Sequence, residues 1–367
     1  MSTVAETIAA NAPLWLAAGG FLVGCVFGAV TYRTNFCTMG ALSDAMNLAD
    51  RRRLRAWMLA IAVSIAGAQT LDAIGVVQLS KSMYLTPTVN WLGNILGGLL
   101  FGYGMVFSGG CVSRNLVRAG SGDLRALISL AVLGVFAYMT IGGVLGMARA
   151  SVEQATQFPL APIKASTQGM GDILAAFVGK APDGMNRLVG YVIAGALALY
   201  AFADAEFRAS TMNIAGGLGV GLSAVAGWAV TGLAYDELSA SPVAPISLTY
   251  VRPAGDTLEW LMRATGLGLP SFGVMSVFGA LTGAFLVSQA MGRFRLTTFS
   301  DLADTQRNLF GAALMGIGGV LAMGCTMGQA ITGISTVAVG SALTIAGIVA
   351  GGVLGLKRFE KLVMAEA

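Results

Sequence analysis

Histidine is absent from the 367 residues. That removes His-based proton relays, His–metal clusters and Ser–His or Cys–His catalysis together. Charge is scarce: 11% of the chain is Asp, Glu, Lys or Arg, against roughly 25% in a soluble domain. With 56% hydrophobic residues and a mean hydropathy of +0.75, the exterior must face membrane lipid rather than water. Cysteine is limited to Cys25, Cys37, Cys111 and Cys325, with no C-x-x-C among them, which argues against a redox pair. The first residues lack the basic n-region and cleavage site of a signal peptide, so the N-terminus is expected to be mature. No cofactor or metal site is expected. What the chain does hold is glycine, 51 residues with no collagen period. At that density small residues let transmembrane helices approach closely and let backbone bend inside a bundle.

Nine apolar stretches are long enough, or nearly so, for the ~20 residues that cross a bilayer: 12–32, 55–78, 91–108, 124–147, 188–203, 211–230, 271–290, 308–323 and 334–356. Two long connections, 148–187 with Pro159, Pro162 and Pro182, and 235–270 with Pro242, Pro245, Pro253 and Pro270, read as extramembrane loops. One side of a nine-span chain collects Arg51–Arg53, Arg55, Arg293, Arg295, Arg307 and Lys357. The other holds fewer cations, such as Arg149, Lys164 and Lys180, mostly in the long loops. The positive-inside rule then puts the N-terminus in the periplasm and the C-terminus in the cytoplasm of a bacterial inner membrane.

Residues 97–111, GGLLFGYGMVFSGGC, and 311–325, GAALMGIGGVLAMGC, match at seven of fifteen positions at an offset of 214, and both end on cysteine. A weaker match links Gly20, Gly24 and Gly28 with Gly217 and Gly221. These matches predict an all-α integral membrane fold of about nine spans plus short re-entrant helices. It divides into a first four-span repeat at 12–147, an outer loop at 148–187, a linking span at 188–203 and a second repeat at 211–356. The odd linking span inverts the second repeat, the building plan of many transporters.

Four segments combine a span end with polar or backbone-bending residues: 31–44, 108–122, 228–240 and 323–335. They are too short and polar for spans and too apolar for exposed loops, which fits re-entrant backbone lining a cavity. Three of them carry a cysteine: Cys37, Cys111 and Cys325. A Gly–Cys turn opening a short helix presents free backbone N–H groups and the positive end of a dipole, an anion-binding geometry with a thiol added. The thiol suits a soft, polarisable sulfur better than a hard oxyanion. Gly110 and Gly324 supply the turns, and Asn35 and Arg114 lie beside the thiols as further site candidates, with Arg33 and Arg118 near them. Cys25, inside the Gly20–Gly24–Gly28 face, reads as packing. Asp44, Asp123 and Asp236 at span ends are candidate proton sites, although such positions commonly carry acids.

With the segment Asn35-Phe-Cys-Thr-Met-Gly-Ala-Leu, the doubled Gly-rich span ending in Gly–Cys resembles the YeeE/YedE family of membrane proteins over roughly 14–356. The resemblance implies uptake of thiosulfate or a related sulfur-containing anion, with Cys37, Cys111 and Cys325 along the conduction path. It also implies a possible cytoplasmic TusA-like sulfur-carrier partner. The competing expectation is a membrane thiol redox or sulfur-transfer enzyme, which requires thiols within disulfide reach or a cofactor site.

Overall fold

The computed structural model describes residues 11–179, 184–237 and 243–366, so Lys180, Pro182 and Pro242 lie outside the described residues. In chain order the helices are α1 Ala12–Thr34, α2 Thr38–Asn47, α3 Arg52–Ala73, α4 Trp91–Phe107, α5 Val112–Gly120, α6 Leu124–Ile141, α7 Gly146–Thr156, α8 Met170–Val178, α9 Met185–Phe202, α10 Ala205–Ala209, α11 Thr211–Leu233, α12 Val251–Leu267, α13 Phe272–Ala290 and α14 Leu302–Leu321. Helix α15 covers 326–335 and includes a π turn, Gly328–Gly333; α16 is Val339–Glu366. The protein is a multi-pass all-α membrane protein: among the described residues eight helices are long and apolar enough to cross a bilayer. The expected stretch 308–323 lies in α14, which falls short of that standard because its first turns are polar, Asp304-Thr-Gln-Arg-Asn308.

Glycine decides how the helices pair. A Cβ on Gly97 would sit 2.6 Å from the Gly318 oxygen, and one on Gly318 would sit 2.6 Å from the Gly97 oxygen; Gly104 and Gly311 meet in the same reciprocal way. Real Cβ atoms do not approach below 3.0 Å, so α4 and α14 touch backbone to backbone, antiparallel. Along α1, Gly20, Gly24 and Gly28 rest in order on Phe272, Ser276 and Ala280, which makes α1 and α13 parallel. Gly217 and Gly221 set α11 parallel to α3, and Gly98 and Gly102 set α4 parallel to α16. In lipid there is no hydrophobic drive between helices, and such close packing supplies the attraction. Cys25 lies in this contact, its backbone against Gly279 and Gly283. Helix α9 packs on α3 and leaves Leu188, Val192 and Leu199 exposed, as a peripheral span does.

The stretch 235–270 is not a simple extramembrane loop. Leu248 and Tyr250 are wholly buried, and α12 follows at once. Prolines signalled a loop, but Pro253 sits in the first turn of α12, where a missing N–H costs nothing. The extended backbone before it is satisfied by side chains: Thr231 donates to the Ile246 oxygen at 2.6 Å, and Thr332 to the Leu248 oxygen at 2.7 Å. Likewise the expected short segment 228–240 is, up to Leu233, the uninterrupted end of α11; its residues 238–240 lie outside the described set. The connection after α6 is also ordered over 148–179. Strand β1 (Thr88–Val89) pairs antiparallel with β2 (Phe158–Pro159), and the Met170 amide donates to the Val337 oxygen at 2.9 Å.

Candidate functional site

Three helices end in the same turn. After α1 the chain enters the left-handed region at Asn35 (φ 53°), and the Phe36 amide returns to the Thr31 oxygen. After α4 the left-handed residue is Gly109 (φ 67°), and Gly110 returns to Met105; after α14 it is Met323 (φ 57°), and Gly324 returns to Gly319. The six-to-one bond caps the orphan carbonyls of each helix end. The next residue is in each case a cysteine, and it opens a new helix: Cys37 before α2, Cys111 before α5, Cys325 before α15. Two of these turns fall within candidate spans, 12–47 and 91–120, so those spans are broken at the thiol.

Each sulfur is held against helix N-terminal polar groups. Cys37 Sγ accepts from the Gly40 amide at 3.4 Å, and Cys325 Sγ from the Gly328 amide at 3.4 Å. The backbone of Tyr250 also reaches Cys325, from the segment whose burial the prolines had hidden. Cys111 Sγ lies 3.2 Å from Ser113 Oγ, and Thr38 Oγ1 donates to it at 4.0 Å, which brings the Cys37 turn beside the Cys111 turn. Cys111 is within electrostatic reach of both Cys37 and Cys325. All three thiols are free and buried.

The remaining candidates divide. Gly110 (φ 152°) and Gly324 (φ 159°) form the turns, and a Cβ at Gly110 would strike Arg114 Cγ at 2.9 Å. Arg114 is half-buried, acts electrostatically on Cys37, and has no ion pair among the described residues. Asn35 is exposed, and its contribution is backbone: the left-handed cap and an oxygen that accepts from Arg53 at 2.9 Å. Arg33 is exposed as well. Arg118 is engaged with Asp123 at 2.7 Å. Asp44 is paired with Arg53 at 2.9 Å and Asp123 also with Arg125 at 3.2 Å. Burial works against the Asp123 charge, but Arg125 and Arg118 hold its carboxyl below the usual range. Among the described residues no cluster of His, Cys, Asp and Glu could hold a metal.

Two carboxamides escaped the sequence reading. Asn115 and Gln329 each stand four residues after a cysteine. Asn115 donates to Ser108 Oγ at 3.2 Å and to the Gly110 oxygen at 3.3 Å; Gln329 donates to the Ala322 oxygen at 2.6 Å. Both pin the turn behind the thiol. The same offset of 214 that pairs the cysteines pairs these amides, a signal present in the sequence but not drawn on.

Cavities open at both Gly–Cys turns. Gly109 borders one of about 260 Å³ with Arg118, Arg125, Arg307, Asn308 and Phe359. Gly324 borders one of about 340 Å³ with Ser247, Thr249, Arg252 and Phe272. Because α4 and α14 are antiparallel, the two turns lie toward opposite ends of that pair. The arrangement therefore combines a basic mouth at Gly109, backbone N–H groups and three soft sulfurs, with Cys111 in electrostatic reach of the other two.

Comparison with known proteins agrees with this chemistry. The model of the family described as Sulphur transport matches residues 33–354. A thiosulfate transporter TsuA of Spirochaeta thermophila is 27% identical over 327 residues, 88% of this chain and 92% of that protein. A thiosulfate transporter TsuA of Escherichia coli is 25% identical over 324 residues, 85% and 86% of the two chains. A probable transporter YedE of Escherichia coli is 30% identical over 106 residues, only 28% and 24% of the two chains.

Proposed function

The chain belongs to the sulphur transport family, and from that premise we propose that it carries thiosulfate or a related sulfur-containing anion into the cytoplasm past Cys325, Cys111 and Cys37. The observation that carries this reading is the threefold turn: three identical caps, each delivering a buried thiol to a helix N-terminus, with Cys111 between the other two. An anion is met inside by N–H groups and S–H donors, so each step is a weak site that can be left again, as passage requires, and the basic mouth at Gly109 draws it onward. Transport of this kind needs no covalent step, and the chain acts as a carrier or channel rather than an enzyme.

The pairing of helices supports an inverted repeat. Gly97 touches Gly318, and Gly104 touches Gly311, where 97 corresponds to 311 and 104 to 318 by sequence; this is the reciprocal contact of a two-fold axis. The parallel pairs α1–α13 and α3–α11 exchange in the same way. On this plan 12–147 and 211–356 are the two units, α9 links them, and α14 crosses as a ninth span shielded by α4 and α6. The Arg-rich turns around Arg51–Arg55 and Arg293–Arg307 then face the cytoplasm, with the N-terminus and the 148–187 connection in the periplasm of a bacterial inner membrane. The basic cytoplasmic mouth fits a TusA-like sulfur carrier as a receiving partner.

Radiolabelled thiosulfate uptake into proteoliposomes tests the reading. Cys111→Ala and Cys325→Ala should each lower uptake at least about tenfold, worth about 1.4 kcal/mol, while inserting and folding like the unaltered chain. Unchanged uptake by the double variant refutes it.

A further inference from the structure

Met323 occupies a backbone position that its counterparts give to glycine or asparagine. The left-handed residue is Asn35 in the first turn and Gly109 in the second, the residue types that adopt positive φ readily. In the third it is a methionine at φ 57°. A strained residue kept where an unstrained one would serve points to a use for its side chain.

That side chain stands at a boundary. Two cavities meet there. One, of about 200 Å³, is polar, with Asn90, Asn94, Arg149, Gln168, Gln329 and Ser341 on its wall. The other, of about 340 Å³, is mostly apolar, with Arg252 at its rim. Met83, Val320 and Met323 line both, and all three are half-buried. Two of the three residues dividing the cavities are thus thioethers, and Cys325 follows Met323 by two positions. A thioether is polarisable and carries no donor, so it offers dispersion contact to a soft sulfur and nothing to the oxygens of sulfate.

We propose that Met83 and Met323 form a soft-sulfur subsite at the entrance to Cys325, a specificity determinant that receives the terminal sulfur of the anion before any thiol does. This deepens the transport reading above and rests on it. The anion's oxygens stay with the amides and hydroxyls of the polar cavity while its sulfur enters between the two methionines. Discrimination against sulfate begins there, since sulfate has no soft atom to place.

The test is equilibrium binding of radiolabelled thiosulfate to the purified full chain, with sulfate as competitor, in wild-type and Cys325→Ala backgrounds. Met83→Leu/Met323→Leu keeps volume and apolarity but removes both sulfurs. It should weaken thiosulfate binding about tenfold in either background and lower the preference over sulfate by the same factor. Met323→Gly should bind thiosulfate more weakly and yet melt at a higher temperature, a combination that a purely structural methionine would not give. Should Met323→Leu fold poorly, Met83→Leu, which carries no positive φ, reads the same effect. Wild-type affinity and selectivity in the double leucine variant overturn the proposal while leaving the cysteine reading intact; unchanged uptake in the Cys111→Ala/Cys325→Ala chain overturns the cysteine reading instead.

Discussion

The turn at Gly109–Cys111 and the turn at Met323–Cys325 close with the same backbone bonds and share seven of fifteen preceding residues, but they sit in different surroundings. The first has glycine at the left-handed position, and α5 behind it is an ordinary helix with Arg114 and Arg118 on a half-buried face. The second has methionine there. Its helix α15 contains a π turn, is buried throughout, and is followed by Val337, a β-branched residue at φ 60°, whereas the positive-φ residue that follows α5 is a glycine, Gly122. Non-glycine residues in the left-handed region cost about 1–2 kcal/mol each. Side chains from distant helices hold the end of α15, whereas the end of α5 is tied by backbone: the Arg295 amide donates to the Ser121 oxygen at 3.3 Å and the Thr297 amide to the Gly122 oxygen at 3.1 Å. Trp228 donates to Ser335 Oγ at 2.9 Å, Gln69 to the Ser335 oxygen at 2.9 Å and Ser64 to the Ile331 oxygen at 3.2 Å. The same turn chemistry thus leads into a helix whose end is tied by backbone in one unit and into a strained helix end tied by buried side chains in the other.

Substitutions at matched positions can break that contrast. The largest effect is expected at Ser335, whose counterpart at the offset of 214 is Ser121. Ser335→Ala leaves the buried indole N–H of Trp228 without its acceptor and should destabilise by about 1–3 kcal/mol. An equal response from Ser121→Ala would remove the asymmetry. Next comes exchange of the left-handed residues. Gly109→Met should cost about 1–2 kcal/mol, and its Cβ would also press on Arg118, 2.8 Å away. Met323→Gly should gain about 1 kcal/mol from the same conformational term. Thermal midpoints of the purified proteins read both signs; a loss at both positions would mean that strain is not what separates the turns. The smallest effect is expected at Ser121→Ala. Its hydroxyl only returns to the Arg118 oxygen within its own turn, so the change should stay within about 0.5 kcal/mol.

Most of the spans were legible because a bilayer imposes length and composition on every segment that crosses it. Eight of nine expected stretches coincide with candidate spans. The ninth lies in α14, where the polar run 304–308 dilutes a helix whose glycine face is its main asset. The thiol turns were legible because a Gly–Cys pattern recurs twice. The irregular segment 245–250, largely buried, was not, since proline marks irregular backbone without telling whether water or Thr side chains satisfy it. Met323 was hidden for a related reason: a methionine in an apolar run carries no sign of its backbone angle.

Composition alone therefore determined the solvent: without charge, and with glycine where other chains have bulk, this chain had to become packed helices in lipid. Local pattern determined where cysteines would open short helices, because turn and cap chemistry involve only a few adjacent residues. Which thiols become neighbours, which backbones touch and which residue accepts strain are set across more than two hundred residues of sequence separation. Only the tertiary structure decided these, since close helix contact depends on two distant glycine faces meeting in register.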